Sequence, residues 1–192
     1  MTANQPKGEG GEHLLEGVLS HPVETVRRQL MSGSNALPLL WLSFFIILAD
    51  QAVKLWIIAS FQLFERLPVA PFLEITRLHN SGAAFSMLAG AGGWQRWFFT
   101  AIAVSSAVGI SLWLRKLDPR QQPLLAVGLA CICGGALGNL IDRLVYGHVV
   151  DFLHFHWGER WWFPAFNVAD IAITTGAGLI ILDTLLDSRR QS

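Results

Sequence analysis

Four long apolar segments, at approximately 38–59, 94–114, 122–141 and 168–187, constrain this chain more than any other feature. Each is close to the roughly 20 residues a helix needs to cross a bilayer. Charged residues make up only 15 % of the chain and the formal net charge is zero. A soluble domain carries about a quarter charged residues, and a nucleic-acid binder would show a basic excess. The first segment follows a polar stretch of some three dozen residues and contains Asp50 and Lys54, so it does not read as a cleaved signal. The expected fold is an all-α membrane protein with four transmembrane helices. The alternation of Leu73 and Ile75 with Glu74 and Thr76 adds a small extracytoplasmic β-like platform between helices 1 and 2.

The expected organisation is a polar leader over 1–36, a four-helix domain over 37–187 and a short tail over 188–192. Leu14, Leu15, Val18 and Leu19 give the leader one weak apolar face, which suits either a surface helix or a free tail. Basic residues set the orientation. Lys7, Arg27 and Arg28 precede helix 1, Arg115, Lys116 and Arg120 join helices 2 and 3, and Arg189 and Arg190 follow helix 4. This bias places both termini in the cytoplasm. Trp41 and Trp113 then mark the inner face, and Trp56, Trp94, Trp97, Trp157, Trp161 and Trp162 the outer. Cys131 and Cys133, two apart on a helix, read as buried small hydrophobes.

Ionisable groups within spans cost roughly 2.5–3.5 kcal/mol each on insertion scales, so each one needs a reason. Asp50 and Lys54 are spaced four apart, as an acid-before-base pair on one helix face would be, and pairing and function explain Asp50 equally well. Asp183 lies near the inner end of helix 4 and reads as interfacial. Asp170 sits three residues after Asn167, close to a capping-box pattern, where the helix dipole favours its charge. Asp142 falls near the C-terminal end of helix 3, where the dipole disfavours an anion, and the adjacent Arg143 does not share its face.

The topology delivers Asp142 and Asp170 to the same outer depth, each with an Asn three residues earlier, Asn139 and Asn167. Two charges about 4 Å apart repel by roughly 4 kcal/mol at an effective dielectric of 20, enough to hold one proton between two carboxyls. The expectation is an aspartic pair with Asp170 as base and Asp142 as proton donor.

The blocks "DQAVK" (50–54), "HNSGAAFS" (79–86), "GNLIDR" (138–143), "GHVVDF" (147–152) and "FNVAD" (166–170) resemble the motif set of the lipoprotein signal peptidase (signal peptidase II) family. The resemblance covers about residues 37–187. It implies an intramembrane aspartyl protease of the bacterial inner membrane, acting near the periplasmic face on diacylglyceryl-modified prolipoproteins. Cleavage would fall on the amino side of the lipidated lipobox cysteine. The catalytic pair maps onto Asp142 and Asp170, with Asp50, Asn80, Asn139, Arg143 and Asn167 in support. Inhibition by globomycin is also implied. Contact with membrane lipid and a monomeric state are expected, with no cofactor, metal or nucleic acid.

Two other classes stay in view. His148, Asp151, His154 and His156 carry metal-ligand chemistry, although their spacing fits no metalloprotease helix motif. A proton-coupled carrier could use Asp50 and the acid pair as a relay, but inverted repeats are not evident.

Overall fold

Small residues along the third apolar segment decide how the spans meet. The computed structural model describes residues 35–82, 93–158 and 160–191; residues 1–34 of the leader and the small run Ala83-Ala84 lie outside these. Four helices carry the fold: α1 (Leu40–Ser60, entered through a 3-10 turn at Leu37–Leu39), α2 (Trp94–Leu114), α3 (Pro123–Val145) and α4 (Val168–Gln191). All four are long and apolar enough to cross a membrane, as the sequence predicts. The third helix runs to Val145 rather than stopping at 141, which brings Asp142 inside it.

The helix α3 is the one the others pack around. Its most apolar window is 67 % buried, against 22 %, 17 % and 17 % for α1, α2 and α4. Lipid tails offer no hydrophobic drive between helices, so close backbone approach through small residues must supply the packing. A Cβ added at Gly134 would lie 2.9 Å from the Ser43 backbone, and the Ser43 hydroxyl donates to the Ala130 carbonyl at 2.7 Å. One turn on, a Cβ at Gly138 would stand 2.8 Å from the Asp50 carboxylate. The Gly134/Gly138 step therefore faces α1, while Gly128 and Gly135 face the α4 backbone at Gly176 and Ala169.

The start of α1 is tied to the end of α2 by the Ala36 amide donating to the Leu114 carbonyl at 2.9 Å. Ala36, Ile110, Leu114, Leu117, Leu125 and Leu129 form a buried cluster at this end. Trp41 and Trp113 stand exposed beside it, while Trp56, Trp94 and Trp97 are exposed toward the opposite helix ends. Exposed tryptophans at both ends of the spans are the pattern of an aromatic belt.

At the far end, four antiparallel strands form the platform: β1 (Arg66–Ala70), β2 (Leu73–Asn80), β3 (Val149–Trp157) and β4 (Trp161–Trp162), in the order β1-β2-β3-β4. Half of the sheet thus comes from the aromatic connection between α3 and α4, not only from the α1–α2 connection. The inward face of β2 also differs from expectation. Glu74 and Thr76 are buried, while Leu73 and Ile75 are only partly so. Glu74 is satisfied by His154 at 3.1 Å and Arg66 at 3.5 Å, and Thr76 donates to the Glu65 carbonyl at 2.8 Å. Ile57 and Phe61 pack with Val150 and Phe152, fastening β3 to the end of α1. Gly147, at φ 80°, closes α3 in the left-handed conformation that ends many helices and turns the chain into β3.

Candidate active site

Charge at the junction of α1, α3 and α4 is organised around Lys54. This ammonium is 1 % exposed, and a buried cation is tolerated only when every donor is met. Its three N–H donors find three acceptors: Asp50 Oδ2 at 2.8 Å, Asp142 Oδ2 at 2.8 Å and Asn139 Oδ1 at 2.9 Å. The sequence pairing of Asp50 with Lys54 is therefore present, but it is one part of a larger cluster.

Asp50 also receives the Ala169 amide at 2.9 Å, so α1 supplies a carboxylate to the free N-terminal donors of α4. Asp142 is fully occupied as well. Its Oδ1 accepts from Gln51 Nε2 at 3.0 Å, and its Oδ2 accepts from the Val150 amide at 3.0 Å besides Lys54. Both carboxylates are completely buried. Asp142 thus has a cation as its partner, not a second acid, and the expected Asp142–Asp170 pair does not form. The unfavourable helix-end position of Asp142 is offset by Lys54, which reaches it from a different helix.

A second group of acids lies beside a cleft of about 510 Å³, whose lining includes the polar residues Asn80, Asn139, Arg143 and Asp170 and the apolar residues Val149, Phe163, Pro164, Phe166, Ile171 and Ile173. Asp170 forms the capping arrangement read from the sequence. Its amide donates to Asn167 Oδ1 at 2.9 Å, and its Oδ2 accepts from the Asn167 amide at 3.3 Å. Its Oδ1 accepts from Asn139 Nδ2 at 2.8 Å. The acid that joins it is Asp151 on β3. Asn167 Nδ2 donates to Asp151 Oδ1 at 2.7 Å, so one asparagine holds both carboxyls. Asn80 Nδ2 donates to Asp151 Oδ2 at 3.0 Å from the cleft wall.

The electrostatics of Asp151 differ from those of the Lys54 cluster. Burial and then the negative charge of Asp170 push its carboxyl up to about 7, against the opposing pull of the Asn80 and Asn167 hydrogen bonds and the more distant Lys54 charge. Among the described residues no Lys or Arg forms an ion pair with Asp151 or Asp170. A carboxyl near neutrality beside a second acid at a helix N-terminus is an arrangement suited to proton exchange.

The predicted supporting residues divide accordingly. Asn80, Asn139 and Arg143 line the cleft, and Asn167 bridges the acids. Asp50 belongs to the Lys54 cluster. Arg143 donates to the Gly82 and Asn139 carbonyls, both at 3.3 Å, and lies over the Phe99 ring. Asp151, which sequence reasoning weighed only as a metal ligand, is the residue it missed. The available signal was an acid in the apolar run Val149-Val150-Asp151-Phe152 within one of the five recognised blocks. The proposed metal ligands do not converge. His154 turns to Glu74, His156 to the Gly158 carbonyl, and His148 stacks on His79 at 3.7 Å between ring centres. Among the described residues no group of three metal-ligating side chains forms.

Comparison with known proteins converges on one family. A family model described as signal peptidase (SPase) II matches residues 42–186. A lipoprotein signal peptidase of Shewanella woodyi is 52 % identical over 145 residues, covering 76 % of this chain and 81 % of that protein. One of Ectopseudomonas mendocina is 52 % identical over 148 residues, covering 77 % and 87 %. A solved structure described as a bacterial membrane enzyme superposes with a TM-score of 0.71 at 32 % identity, over 81 % of this chain and 92 % of that one. A second, with the same description, gives 0.65 at 33 % identity over 77 % and 92 %. With the family model spanning most of the chain and all four helices, the chain belongs to the signal peptidase II family of aspartic-type membrane peptidases.

Proposed function

We propose that this enzyme removes the signal peptide from diacylglyceryl-modified prolipoproteins, cutting on the amino side of the lipidated cysteine, with Asp151 and Asp170 as the catalytic pair. One observation carries the assignment: a single asparagine, Asn167, binds both carboxyls, Asp151 through its side-chain nitrogen and Asp170 through its backbone amide, and neither acid is in an ion pair among the described residues. Asp142 is paired with Lys54 at 2.8 Å and makes no contact with Asp170 among the described residues. In the resting enzyme Asp151 is the neutral acid, and Asp170, in the N-terminal turn of α4, is the anion.

The chemistry follows from that charge state. Asp170 takes a proton from water as its oxygen attacks the scissile carbonyl carbon, while Asp151 donates its proton to the carbonyl oxygen. Collapse of the tetrahedral intermediate breaks the C–N bond. The proton acquired by Asp170 goes to the leaving amine, and the carbonyl re-forms as Asp151 regains its own. Arg143 and Asn80, which line the cleft, hold the substrate backbone. The apolar lining residues suit the substrate's lipid and apolar side chains.

The helix ends that carry the sheet face the periplasm in this reading. Both termini lie in the cytoplasm, the 1–36 leader precedes the 37–187 protease domain, and the protein acts as a monomer in contact with membrane lipid at the inner membrane. A globomycin-like inhibitor would occupy the same cleft. The test is processing of a lipidated prolipoprotein by the Asp151→Asn and Asp170→Asn variants, followed by gel mobility. Both are expected to leave the precursor uncut; complete processing by either overturns the pair.

A further inference from the structure

We infer that Lys54 is a positioning residue for the reaction: its ammonium fixes the direction of the Asn139 amide, and Asn139 and Asn167 pass that direction on to both acids. The inference rests on the Asp151–Asp170 reading above and adds to it a group that touches neither substrate nor acid of the pair.

An amide side chain can turn end for end, and which end points where is set by its partners. Lys54 can only donate, so the Asn139 atom 2.9 Å from it must be the oxygen. That leaves Asn139 Nδ2 facing Asp170 Oδ1 at 2.8 Å. The same Asn139 oxygen accepts from Asn167 Nδ2 at 3.1 Å. Asn167 is thereby fixed too, with its nitrogen toward Asp151 at 2.7 Å and its oxygen toward the Asp170 amide at 2.9 Å. Every link from Lys54 to the two carboxyls has one permitted orientation.

With an apolar side chain at position 54, the Asn139 oxygen loses the shorter and charged one of its two donors and keeps only Asn167 Nδ2 at 3.1 Å. Asn139 is then held less firmly where it meets Asp170. Asp50 and Asp142 have structural roles of their own on the far side of Lys54, at the start of α4 and at the Val150 amide. The ammonium is the charged donor among those that hold the Asn139 oxygen.

Removing Lys54 alone leaves two buried carboxylates without their cation, and such a variant can fail to fold. The test therefore uses Lys54→Met combined with Asp142→Asn, which removes one positive and one negative charge together, with Asp142→Asn alone as reference. Intact fold is checked by the thermal melt of each purified variant in detergent. Relative to Asp142→Asn, the double variant is expected to lose about a hundredfold in kcat, the scale of a mispositioned catalytic group, with KM within about twofold. Its alkaline limb should also move to higher pH, because the Lys54 charge is one of the influences that pull Asp151 downward. A folded double variant with the kcat and pH profile of Asp142→Asn overturns the inference. So does a double variant that does not fold while Lys54→Met alone folds with normal kcat. Neither result touches the Asp151–Asp170 pair, which stands or falls on Asp151→Asn and Asp170→Asn.

Discussion

Two groups of acids meet where α1, α3 and α4 come together, and they are built on opposite principles. Around Lys54, Asp50 and Asp142 are fully buried and each contacts the same cation at 2.8 Å. At the cleft, Asp151 and Asp170 are held by asparagine amides and backbone N–H groups instead. A carboxylate closed against a cation is fixed as an anion and serves as a fastening. One held by neutral donors beside another acid can trade its proton. Depth does not separate the two groups, since Asp151 is buried as Asp50 and Asp142 are; the partner does.

The largest expected effect separates the two groups directly. Asp151→Asn and Asp170→Asn should each lower turnover by on the order of 10⁴, as loss of an essential member of a catalytic unit does, while the fold survives. Asp142→Asn should do the reverse. It leaves Lys54 one anion short, so the thermal melt should fall by the equivalent of about 3 kcal/mol, with measurable processing retained. An Asp142→Asn protein that is stable but inactive would merge the two groups and restore the pairing expected from sequence.

Gly138→Ala probes the packing that keeps the fastening closed. Its new Cβ would meet Asp50 Oδ2 at 2.8 Å and Ala169 Cβ at 3.3 Å, so α1 and α4 must both yield. Overpacking of this kind costs about 1–3 kcal/mol, readable as a lower melting temperature.

Asn80→Ala is a finer test. The Asn80 hydrogen bond pulls the Asp151 carboxyl down, so its loss should raise that group further above about 7. Activity requires the proton on Asp151, and the alkaline limb of kcat/KM, which falls as that proton leaves, should shift to higher pH. An unmoved limb would remove Asp151 from the titration. Phe152→Leu should change least. The ring packs with Ile57, Phe61 and Val150 and carries no chemistry, and a swap of similar volume costs under about 1.5 kcal/mol.

Much of this arrangement was legible in the sequence. Four spans follow from apolar length alone, and the Asn167–Asp170 cap from local spacing. The unusual cost of Asp142 was also visible, but its resolution was not. Lys54 lies 88 residues away along the chain, on another helix, and no periodicity links them. The strand β3 escaped for a different reason. Val149, Val150, Asp151 and Phe152 are all buried, so the alternation that marks a half-exposed strand is missing. Read as a surface loop, the segment gave Asp151 no burial penalty to explain. The inward Glu74 and Thr76 on β2 reverse the usual pattern because their partners, His154 and the Glu65 carbonyl, come from other parts of the chain.

Infrared spectroscopy of the free enzyme, carrying isotope-labelled aspartate, tests the central claim most directly. The account predicts a neutral-carboxyl band at mildly acid pH that disappears on titration near 7, is absent from Asp151→Asn and persists in Asp142→Asn. A band that survives in Asp151→Asn and vanishes in Asp142→Asn would contradict it.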